Sequence, residues 1–553
     1  MLKFSNVENA FLGKKSLGDQ KSKIPYIKVE NFPDLGLLTS LRFLEWVSIN
    51  PNGVISLPTG KTPEYFIKWT HYLLQNWGSK KVDSILRSNG FGATKKPNLS
   101  NLRFVQIDEF YPLDAKQKNS FFYYVNKYYL DGFGLSKKNA LLINSNEIKL
   151  TNNSNWKTIF PTMKVDLSLR YRNPKSDEEE QQQKSIFIID QWCSEYEQKI
   201  RDLGGIGFFL GGIGPDGHIA FNIRGSSHNS TTRLMNTNFE TQAAAATDLG
   251  GIEISKNRLV ITIGLGTITY NPDVVAIIIA AGESKAEIVK KSLENSKNIK
   301  YPATVLNKFK NSRFYLTNGA AKKLKDTQKN YWLHQEWDSK KQQEALLYLA
   351  KKKNIFGKKL TVSDLKSDTV CKNIPNLDKN TVLNIIRSID KKVQKGMHTE
   401  KNQTYYHTGP HHDDIMLGMM PHIIHLIREP TNKHFFTNMT SGFTSVTNKF
   451  VLNILEETMA FILKDKIQML KYADFFTGGF KRKWDKDVYH YLDGIANDNK
   501  KEQFRGLAHR IVRIIIKIYK IKDKVELLEL IKKISIKLKN SYDGEKNTSD
   551  VQK

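Results

Sequence analysis

Cysteine is scarce in this chain of 553 residues, which contains only Cys193 and Cys371. Two cysteines this far apart form neither a disulfide framework nor the close spacing of a cysteine zinc site. Long apolar runs are also missing: no stretch of about 18 uncharged apolar residues occurs, and a membrane-spanning helix needs one. The N-terminal segment lacks the charged and then apolar pattern of a secretory signal. Together these absences predict a cytoplasmic protein without a membrane partner.

Acidic residues are outnumbered by basic ones, and the formal net charge is +29. A charge of this size is compatible with nucleic-acid binding. The lysines, however, are scattered among many asparagines, and no nucleic-acid module with interleaved aromatic residues is present. We therefore interpret the charge as a compositional bias that would also attract anionic sugar phosphates, and we expect no nucleic-acid partner.

The first two thirds of the chain alternates short β-branched runs with helical patterns, which is typical of α/β architecture. Several runs are apolar throughout, as expected of parallel strands buried on both faces. Strands are predicted over Val54–Leu57, Arg103–Ile107, Ile206–Leu210, Leu259–Ile263, Val274–Ala280 and Arg313–Leu316. Polar or glycine-rich motifs follow the first three, and ligands of open α/β sheets bind at the carboxyl ends of strands. The sequence therefore predicts a Rossmann-like parallel-sheet domain whose motifs converge.

Chain length and composition predict more than one domain. Residues 1–328 carry the first α/β pattern, and residues 329–401, rich in lysine and glutamine, predict a helical connector. Residues 402–553 begin with a second α/β pattern of strand, helix and strand at Thr404–His407, Ile415–Ile427 and His434–Met439. We expect these residues to form a second Rossmann-like α/β domain.

The segment Leu57–Pro63 (LPTGKTP) joins a predicted strand to a predicted helix. Gly60 lets backbone N–H groups approach an anion, and the start of the following helix adds favourable partial charge. Thr59, Lys61 and Thr62 add hydroxyl donors and a positive charge. The turn is a candidate phosphate site, although the same residue types occur at purely structural strand–turn–helix junctions.

Two further motifs carry titratable groups. Asp108 and Glu109 follow the second predicted strand, where a shielded carboxylate can act as a general base but an acidic pair can equally cap a helix. The loop Gly211–Asn222 (GGIGPDGHIAFN) has four glycines within seven residues, which permits a tight turn. Asp216 and His218 lie two positions apart in this loop, so one can orient or charge the other.

These motifs resemble, in type and order, those of glucosamine-6-phosphate deaminases. The matching segments are LPTGKTP, the acidic pair in FVQIDEFYPL, GGIGPDGHIAFN, HNSTTRL and GESKA. They span almost all of the first domain. The resemblance implies an enzyme that opens the sugar ring, removes the C2 proton, isomerises aldose to ketose and releases ammonia. Glucosamine 6-phosphate, or a related amino-sugar phosphate, would become fructose 6-phosphate without a metal or organic cofactor.

Residue roles follow from the matching positions alone. The resemblance implies Asp108 as the base at C2 and His218 as the ring-opening group, with Asp216 assisting. It implies phosphate binding by Gly60, Thr62 and Lys285. The other candidate substrate or phosphate contacts are Thr59, Lys61, Glu109, Gly212 and Arg233. An amino-sugar phosphate is the expected partner, and a homo-oligomer is the expected assembly.

Two positions depart from the family pattern. Ile223 replaces a glutamate that supports the ring-opening histidine, and isoleucine can neither polarise an imidazole nor relay a proton. By an ungapped count from Arg233, Thr247 replaces the phosphate-binding arginine and its bidentate guanidinium. We hypothesise that Lys61 supplies replacement charge. Two alternatives stay open: a non-catalytic sugar-phosphate sensor, and a hydrolase similar to 6-phosphogluconolactonases.

The second domain contains YHTGPHHDD at Tyr406–Asp414. A histidine and an aspartate three residues apart can bind one divalent ion. The motif resembles the His-Pro-Asp-Asp signature of PIG-L/LmbE-like de-N-acetylases, which are zinc enzymes. The resemblance implies His411 and Asp414 as zinc ligands and Asp413 as a general base. The family's third ligand, a histidine of a downstream motif, has no counterpart before Lys553, so we expect an incomplete domain.

Overall fold

The structure is a computed structural model that describes residues 4–13, 22–92, 95–249, 255–411, 413–440, 446–541 and 545, without the side chains of residues 244, 247, 248, 484 and 485. The chain divides into two compact units. The first comprises the described residues up to 244 together with residues 255–388, and the second comprises residues 245–249 and the described residues from 389 onward. The domain boundaries expected after residues 328 and 401 stay predictions.

The first unit contains two sheets. Its strands are β1 (Tyr26–Val29), β2 (Val54–Ser56), β3 (Arg103–Val105), β4 (Asp108–Tyr111), β5 (Ala140–Leu141), β6 (Phe208–Gly212), β7 (Arg233–Met235), β8 (Leu259–Thr262), β9 (Val275–Ala280) and β10 (Arg313–Thr317). Seven of them form a parallel sheet in the order β1-β10-β9-β6-β2-β3-β5, and the other three form an antiparallel sheet in the order β4-β8-β7. The predicted parallel-sheet fold is confirmed.

Apolar side chains on both faces of the large sheet explain its continuous apolar strands. Successive residues of a strand point to opposite faces. Phe208 and Ile277 belong to one buried apolar cluster, whereas their neighbours Phe209 and Ile278 belong to another. All residues of β9 are buried. The sheet therefore separates two cores, and its polar loops are confined to the strand ends.

The predicted strand Arg103–Ile107 is wrong at its carboxyl end. β3 stops two residues earlier, and Asp108 begins β4 in the antiparallel sheet. The side chain of Gln106 bridges the segment between the two strands, because its amide N–H donates to the Asp108 carbonyl at 2.9 Å and its side-chain carbonyl accepts the Ile143 N–H at 3.0 Å. The acidic pair therefore lies at the start of a second strand instead of following the first.

The α-helices that the structure describes are numbered in order. They are α1 (Asn6–Leu12), α2 (Phe32–Ile49), α3 (Glu64–Gln75), α4 (Lys80–Ser88), α5 (Phe121–Val125), α6 (Asp131–Phe133), α7 (Trp156–Ile159), α8 (Asp177–Asp202), α9 (Phe239–Leu249), α10 (Leu265–Ile268), α11 (Ala286–Glu294), α12 (Asn318–Ala321), α13 (Lys325–His334), α14 (Ser339–Lys353), α15 (Val362–Ser367), α16 (Lys379–Met397), α17 (Asp414–Ile427), α18 (Asn448–Leu463), α19 (Ala473–Thr477), α20 (Trp484–Ala496), α21 (Lys500–Tyr519) and α22 (Lys524–Leu538). None of the helices that the structure describes is both long and apolar enough to cross a membrane.

The C-terminal region is mainly helical. Two parallel strands, β11 (Thr404–Gly409) and β12 (Lys433–Asn438), flank α17, in agreement with the predicted strand, helix and strand. The next described segment, residues 446–541, contains only helices, which surround a core that includes Leu455, Val512 and Leu527. The structure thus differs from the expected second Rossmann-like domain, because the apolar residues after β12 recur at helical spacing.

Candidate active site

A buried carboxylate holds the imidazole of the glycine-rich loop that follows β6. Nδ1 of His218 lies 2.6 Å from Oδ1 of Asp216. The second oxygen of Asp216 accepts hydrogen bonds from the Arg224 backbone N–H at 2.9 Å and from the side-chain amide of Asn238 at 2.7 Å. Burial raises the pKa of Asp216, but His218 and the two other donors outweigh it and hold this pKa well below its usual range. Asp216 therefore stays anionic and leaves Nε2 as the ring nitrogen of His218 that can meet a ligand.

Two positions of this loop require glycine, one to leave room for the imidazole and one for its backbone conformation. A Cβ atom on Gly214 would lie 2.0 Å from Cε1 of His218, so only glycine leaves room for the ring. The Gly214 N–H also donates to the His218 carbonyl at 2.9 Å. Gly217 has a φ of +88°, in the left-handed region that favours glycine. The glycines thus shape the loop around its histidine.

The antiparallel sheet places Asp108 beside this loop. Asp108 in β4 pairs with Thr262 in β8, and Thr262 pairs with Arg233 in β7, so the three residues form one row across the sheet. The Phe221 N–H, three residues after His218, donates to Oγ1 of Thr262 at 3.1 Å. The rings of Phe110 and Phe221 pack with their centroids 5.5 Å apart. These contacts bring together the strand and the loop that carry the two predicted catalytic groups.

The environment of Asp108 favours a protonated carboxyl. Its side chain is almost fully buried. Burial first, and the neighbouring charge of Glu109 second, raise the pKa of Asp108 well above its ordinary value. A carboxylate with a raised pKa holds an abstracted proton more firmly than an exposed one does. The site can therefore support proton transfer at carbon, the role predicted for Asp108.

Glu109 has a different role from its neighbour. Its two carboxylate oxygens accept hydrogen bonds from the Ser120 hydroxyl at 2.6 Å and from the backbone N–H groups of Phe110, Phe121 and Phe122 at 2.7 to 3.1 Å. Burial raises the pKa of Glu109 to about 7, against the opposing effect of these donors. Glu109 therefore caps the start of α5, and direct substrate contact by this residue stays a prediction.

The candidate phosphate turn lies next to the glycine-rich loop. Gly60 has a φ of +83°, and Lys61 is exposed. A Cβ atom built on Gly212 would lie 3.5 Å from Cγ2 of Thr62, which shows that the turn and the end of β6 are neighbours. Thr59 and Thr62 are half-buried in the turn. These residues can offer hydroxyl groups, backbone N–H groups and one positive charge to an anion.

Two tyrosines that the sequence analysis did not single out hold this turn. The Tyr124 hydroxyl donates to the Gly60 carbonyl at 2.9 Å, and the Tyr129 hydroxyl donates to the Pro58 carbonyl. The sequence signal is the aromatic segment Phe121–Leu130 (FFYYVNKYYL), in which a π-helical turn, Asn126–Leu130, follows α5. Such π-helical turns occur frequently at functional sites.

Lys285 contacts the backbone of the glycine-rich loop. Its ammonium donates to the Ile213 carbonyl at 2.8 Å. Burial lowers the pKa of Lys285, and the charge of Asp216 opposes that effect. An ammonium has three donors, and this hydrogen bond uses one of them. Lys285 can therefore join the loop to an anion bound nearby.

Arg233 holds the end of the same loop. Its guanidinium donates to Oδ1 of Asn222 at 3.0 Å, to the Thr231 carbonyl at 3.1 Å and to the Ser226 hydroxyl at 3.3 Å. Burial lowers its pKa. These contacts position the buried Asn222, and substrate binding by Arg233 stays a prediction.

Of the two positions that depart from the family pattern, Ile223 and Thr247, the structure describes the side chain of the first. Ile223 follows directly after Asn222 and is half-buried, with its N–H donating to the Phe221 carbonyl at 2.9 Å. It therefore occupies the loop without offering a polar side chain to His218. The side chain of Thr247 lies outside the described residues.

The predicted zinc residues of the C-terminal region form an exposed pair. Nδ1 of His411 lies 3.5 Å from Oδ2 of Asp414, and the two side chains are 46% and 41% exposed. Oδ2 of Asp414 also accepts the His411 backbone N–H at 2.8 Å, and Asp413 is exposed at the start of α17. Among the residues that the structure describes, no three His, Cys, Asp or Glu side chains form a group that could hold a metal ion. A zinc site needs at least three protein ligands, so the described residues do not fit one.

Comparisons with known proteins concern mainly the first part of the chain. No family model matches the chain, and the resemblance of residues 402–553 to de-N-acetylases has no support. A solved structure of a monomeric glucosamine-6-phosphate deaminase is 22% identical, with a TM-score of 0.40, over 54% of this chain and 99% of that one.

Two curated relatives define the similarity. The glucosamine-6-phosphate deaminase of Borrelia hermsii is 27% identical over 272 residues, which are 49% of this chain and 80% of that protein. The glucosamine-6-phosphate isomerase of Candida albicans is 38% identical over 134 residues, which are 24% of this chain and only about half (54%) of that protein. Over about half of its length, in its N-terminal part, this chain is homologous to glucosamine-6-phosphate deaminases and isomerases.

Proposed function

We propose that the first unit converts glucosamine 6-phosphate and water to fructose 6-phosphate and ammonia. One observation carries the proposal: the loop that holds His218 against Asp216 is hydrogen-bonded to Thr262, the residue paired with Asp108. A buried carboxylate of raised pKa thus lies on the strand adjoining a fixed imidazole, and an aldose–ketose isomerisation uses two such groups. The homology of the N-terminal part supports the same reaction.

In the proposed reaction, His218 moves the proton of the C1 hydroxyl to the ring oxygen, which opens the sugar ring. Asp108 then takes the proton from C2 and exchanges it with solvent. A proton moves from the amino group to the C1 oxygen, and Asp108 protonates C1, which leaves an imine at C2. Water adds to that carbon, the carbon–nitrogen bond breaks and ammonia leaves as the ketone forms. Asp216 remains ionised throughout and stabilises the imidazolium that forms while His218 carries a proton.

Phosphate binding is assigned to the turn around Gly60 and to Lys285. The turn contributes backbone donors at the entry to α3, together with the Thr62 hydroxyl and the charge of Lys61. Two observations support this assignment: Gly212 neighbours Thr62, and Lys285 donates to the carbonyl of Ile213, the residue after Gly212. In this proposal Lys61 supplies part of the charge that an arginine at position 247 would give.

The absence of a carboxylate at Ile223 lowers the expected rate of ring opening. Sugar rings also open slowly without catalysis, so an open-chain substrate bypasses this step. We therefore expect slow turnover of the ring form and faster turnover of the open form.

The deciding experiment measures ammonia release from glucosamine 6-phosphate in deuterated water, with mass analysis of the product. Wild-type protein should release ammonia and place solvent deuterium on C1 of fructose 6-phosphate. Asp108→Asn should do neither, whereas the control Asp273→Asn, an exposed aspartate just before β9, should match wild type. Tight binding of the sugar phosphate without ammonia from any of the three proteins would identify a sensor and refute the proposal.

A further inference from the structure

A polar cavity of about 190 Å³ lies against the glycine-rich loop of the first unit. One wall comes from Pro215 in the loop and from Arg224, two residues after the loop. The other comes from the start and first turns of α11 and from the segment that follows this helix. The polar lining residues on that wall are Ser284, Glu287, Lys291, Lys300 and Tyr301.

Positive charge predominates in this cavity. Arg224, Lys291 and Lys300 are cationic, and Glu287 is the carboxylate among the lining residues. Glu287 is already neutralised by two lysines, because its oxygens lie 3.4 Å from Nζ of Lys291 and 3.1 Å from Nζ of Lys323. The hydroxyls of Ser284 and Tyr301 add neutral donors. The lining therefore suits a compact dianion with several acceptor oxygens.

Hydrogen bonds from backbone N–H groups join the two walls of the cavity to the candidate catalytic loop and to each other. The Arg224 N–H donates to Asp216 at 2.9 Å, the Gly225 N–H to the Ile299 carbonyl at 2.9 Å, and the Ala303 N–H to the Gly217 carbonyl at 3.0 Å. The residue whose side chain would grip an anion thus also fixes the carboxylate that holds His218.

We propose that this cavity binds a phosphate monoester as a second anion site, separate from the turn around Gly60. The phosphate oxygens accept hydrogen bonds from the Arg224 guanidinium and the ammonium groups of Lys291 and Lys300. Occupation pins Arg224 and so holds the carboxylate of Asp216 against His218. The proposal concerns binding and does not depend on the reaction assigned to the first unit.

Inorganic phosphate is the probe, and calorimetric titration of the full chain gives its stoichiometry. Wild type should bind two equivalents. In Lys291→Ala/Lys300→Ala the affinity of one of these two sites for phosphate should fall by roughly tenfold or more, because two charge-assisted contacts are removed. Binding at that site should then no longer be detected under the conditions used for wild type. The control Lys290→Ala/Lys329→Ala removes the same charge from positions outside the cavity lining and should keep both.

A second pair of substitutions separates the two sites. Lys61→Ala/Lys285→Ala should lose the other equivalent and retain the one that Lys291→Ala/Lys300→Ala removes. The inference is overturned if Lys291→Ala/Lys300→Ala binds phosphate as wild type does, or if both pairs abolish a single common equivalent. A wild-type protein that binds two equivalents but releases no ammonia would refute only the proposed reaction.

Discussion

Each unit of the molecule carries a histidine beside an aspartate, and the two pairs differ in almost every physical respect. In the first unit, His218 and Asp216 lie 2.6 Å apart, and the aspartate side chain is 0% exposed. In the second, the atoms of His411 and Asp414 are 3.5 Å apart, and both side chains are more than two-fifths exposed. Similar residue types at similar spacing therefore form a fixed pair in one place and a surface contact in the other.

Burial and additional hydrogen-bond donors therefore distinguish a candidate catalytic pair from a surface contact. Asp216 is held by three partners from the loop and from Asn238, and this network keeps it charged inside the protein. The second pair has water as its main surroundings, where an ion pair contributes about 0–1 kcal/mol. Four variants and one pH profile would sharpen or break this contrast.

The largest effect is expected from the carboxylates themselves. Asp108→Asn should lower the rate of ammonia release by about 10²–10⁴-fold, because an amide cannot accept the C2 proton. Asp414→Asn, the matched change in the second unit, should leave the rate unchanged. Steady-state ammonia assays on both variants make the comparison, and equal losses would remove the functional distinction between the units.

The same assay has a defined dependence on pH. Only ionised Asp108 can accept a proton, and its pKa is raised by burial and by Glu109. Ammonia release should therefore rise with pH through a limb that lies above the usual range of a carboxyl group. A limb near the ordinary carboxyl pKa would contradict the buried position of Asp108.

Glycine substitutions give the next largest effect. Gly214→Ala should reduce ammonia release by about 10²-fold, because the new methyl group would displace the His218 ring from its position. Gly418→Ala is the control, since nothing lies within 4 Å of its Cβ position in α17. It should leave activity unchanged and raise the free energy of unfolding by about 0.5–1 kcal/mol. Unimpaired activity of Gly214→Ala would show that His218 is not held as described.

A smaller effect, on stability, is expected at Glu109. Glu109→Gln should lower the free energy of unfolding by about 1–3 kcal/mol, because an amide cannot accept all four hydrogen bonds, three of them from the start of α5 and one from Phe110. Denaturant unfolding measures the change, with the exposed Glu147→Gln as the control. A loss of substrate affinity without loss of stability would instead assign Glu109 to the substrate.

The smallest effect is expected in the second unit. His411→Ala/Asp414→Ala should change the free energy of unfolding by less than about 0.5 kcal/mol, with or without added Zn²⁺, because the pair is exposed. Thermal unfolding with a zinc titration tests this. Zinc-dependent stabilisation of wild type that the variant lacks would show a metal site and overturn the contrast.

The sequence predicted the large sheet because parallel strands that are buried on both faces consist of continuous apolar runs. It did not reach β4, since Asp-Glu-Phe-Tyr becomes a strand only through its pairing with β8. Nor did it find β1, β5 and β7, which are four, two and three residues long. Such strands are defined by partners distant in sequence, and no local pattern encodes them.

The same limit applies to the candidate site. The spacing of Asp216 and His218 indicated their contact, because the two residues share one short loop. Three of the four partners of Glu109 lie 11 to 13 residues further along the chain, and Tyr124 lies 64 residues from Gly60. Those contacts depend on how α5 packs, so they could be found only in three dimensions.

The capping of α5 by Glu109 has a consequence for substrate choice. Asp108 is followed directly by Glu109, Glu109 anchors α5, and Tyr124 in α5 holds the carbonyl of Gly60. These contacts fix the distance between the proposed base and the proposed phosphate turn. A sugar phosphate one carbon shorter or longer would present the wrong atom to Asp108, so the protein should select its substrate by backbone length.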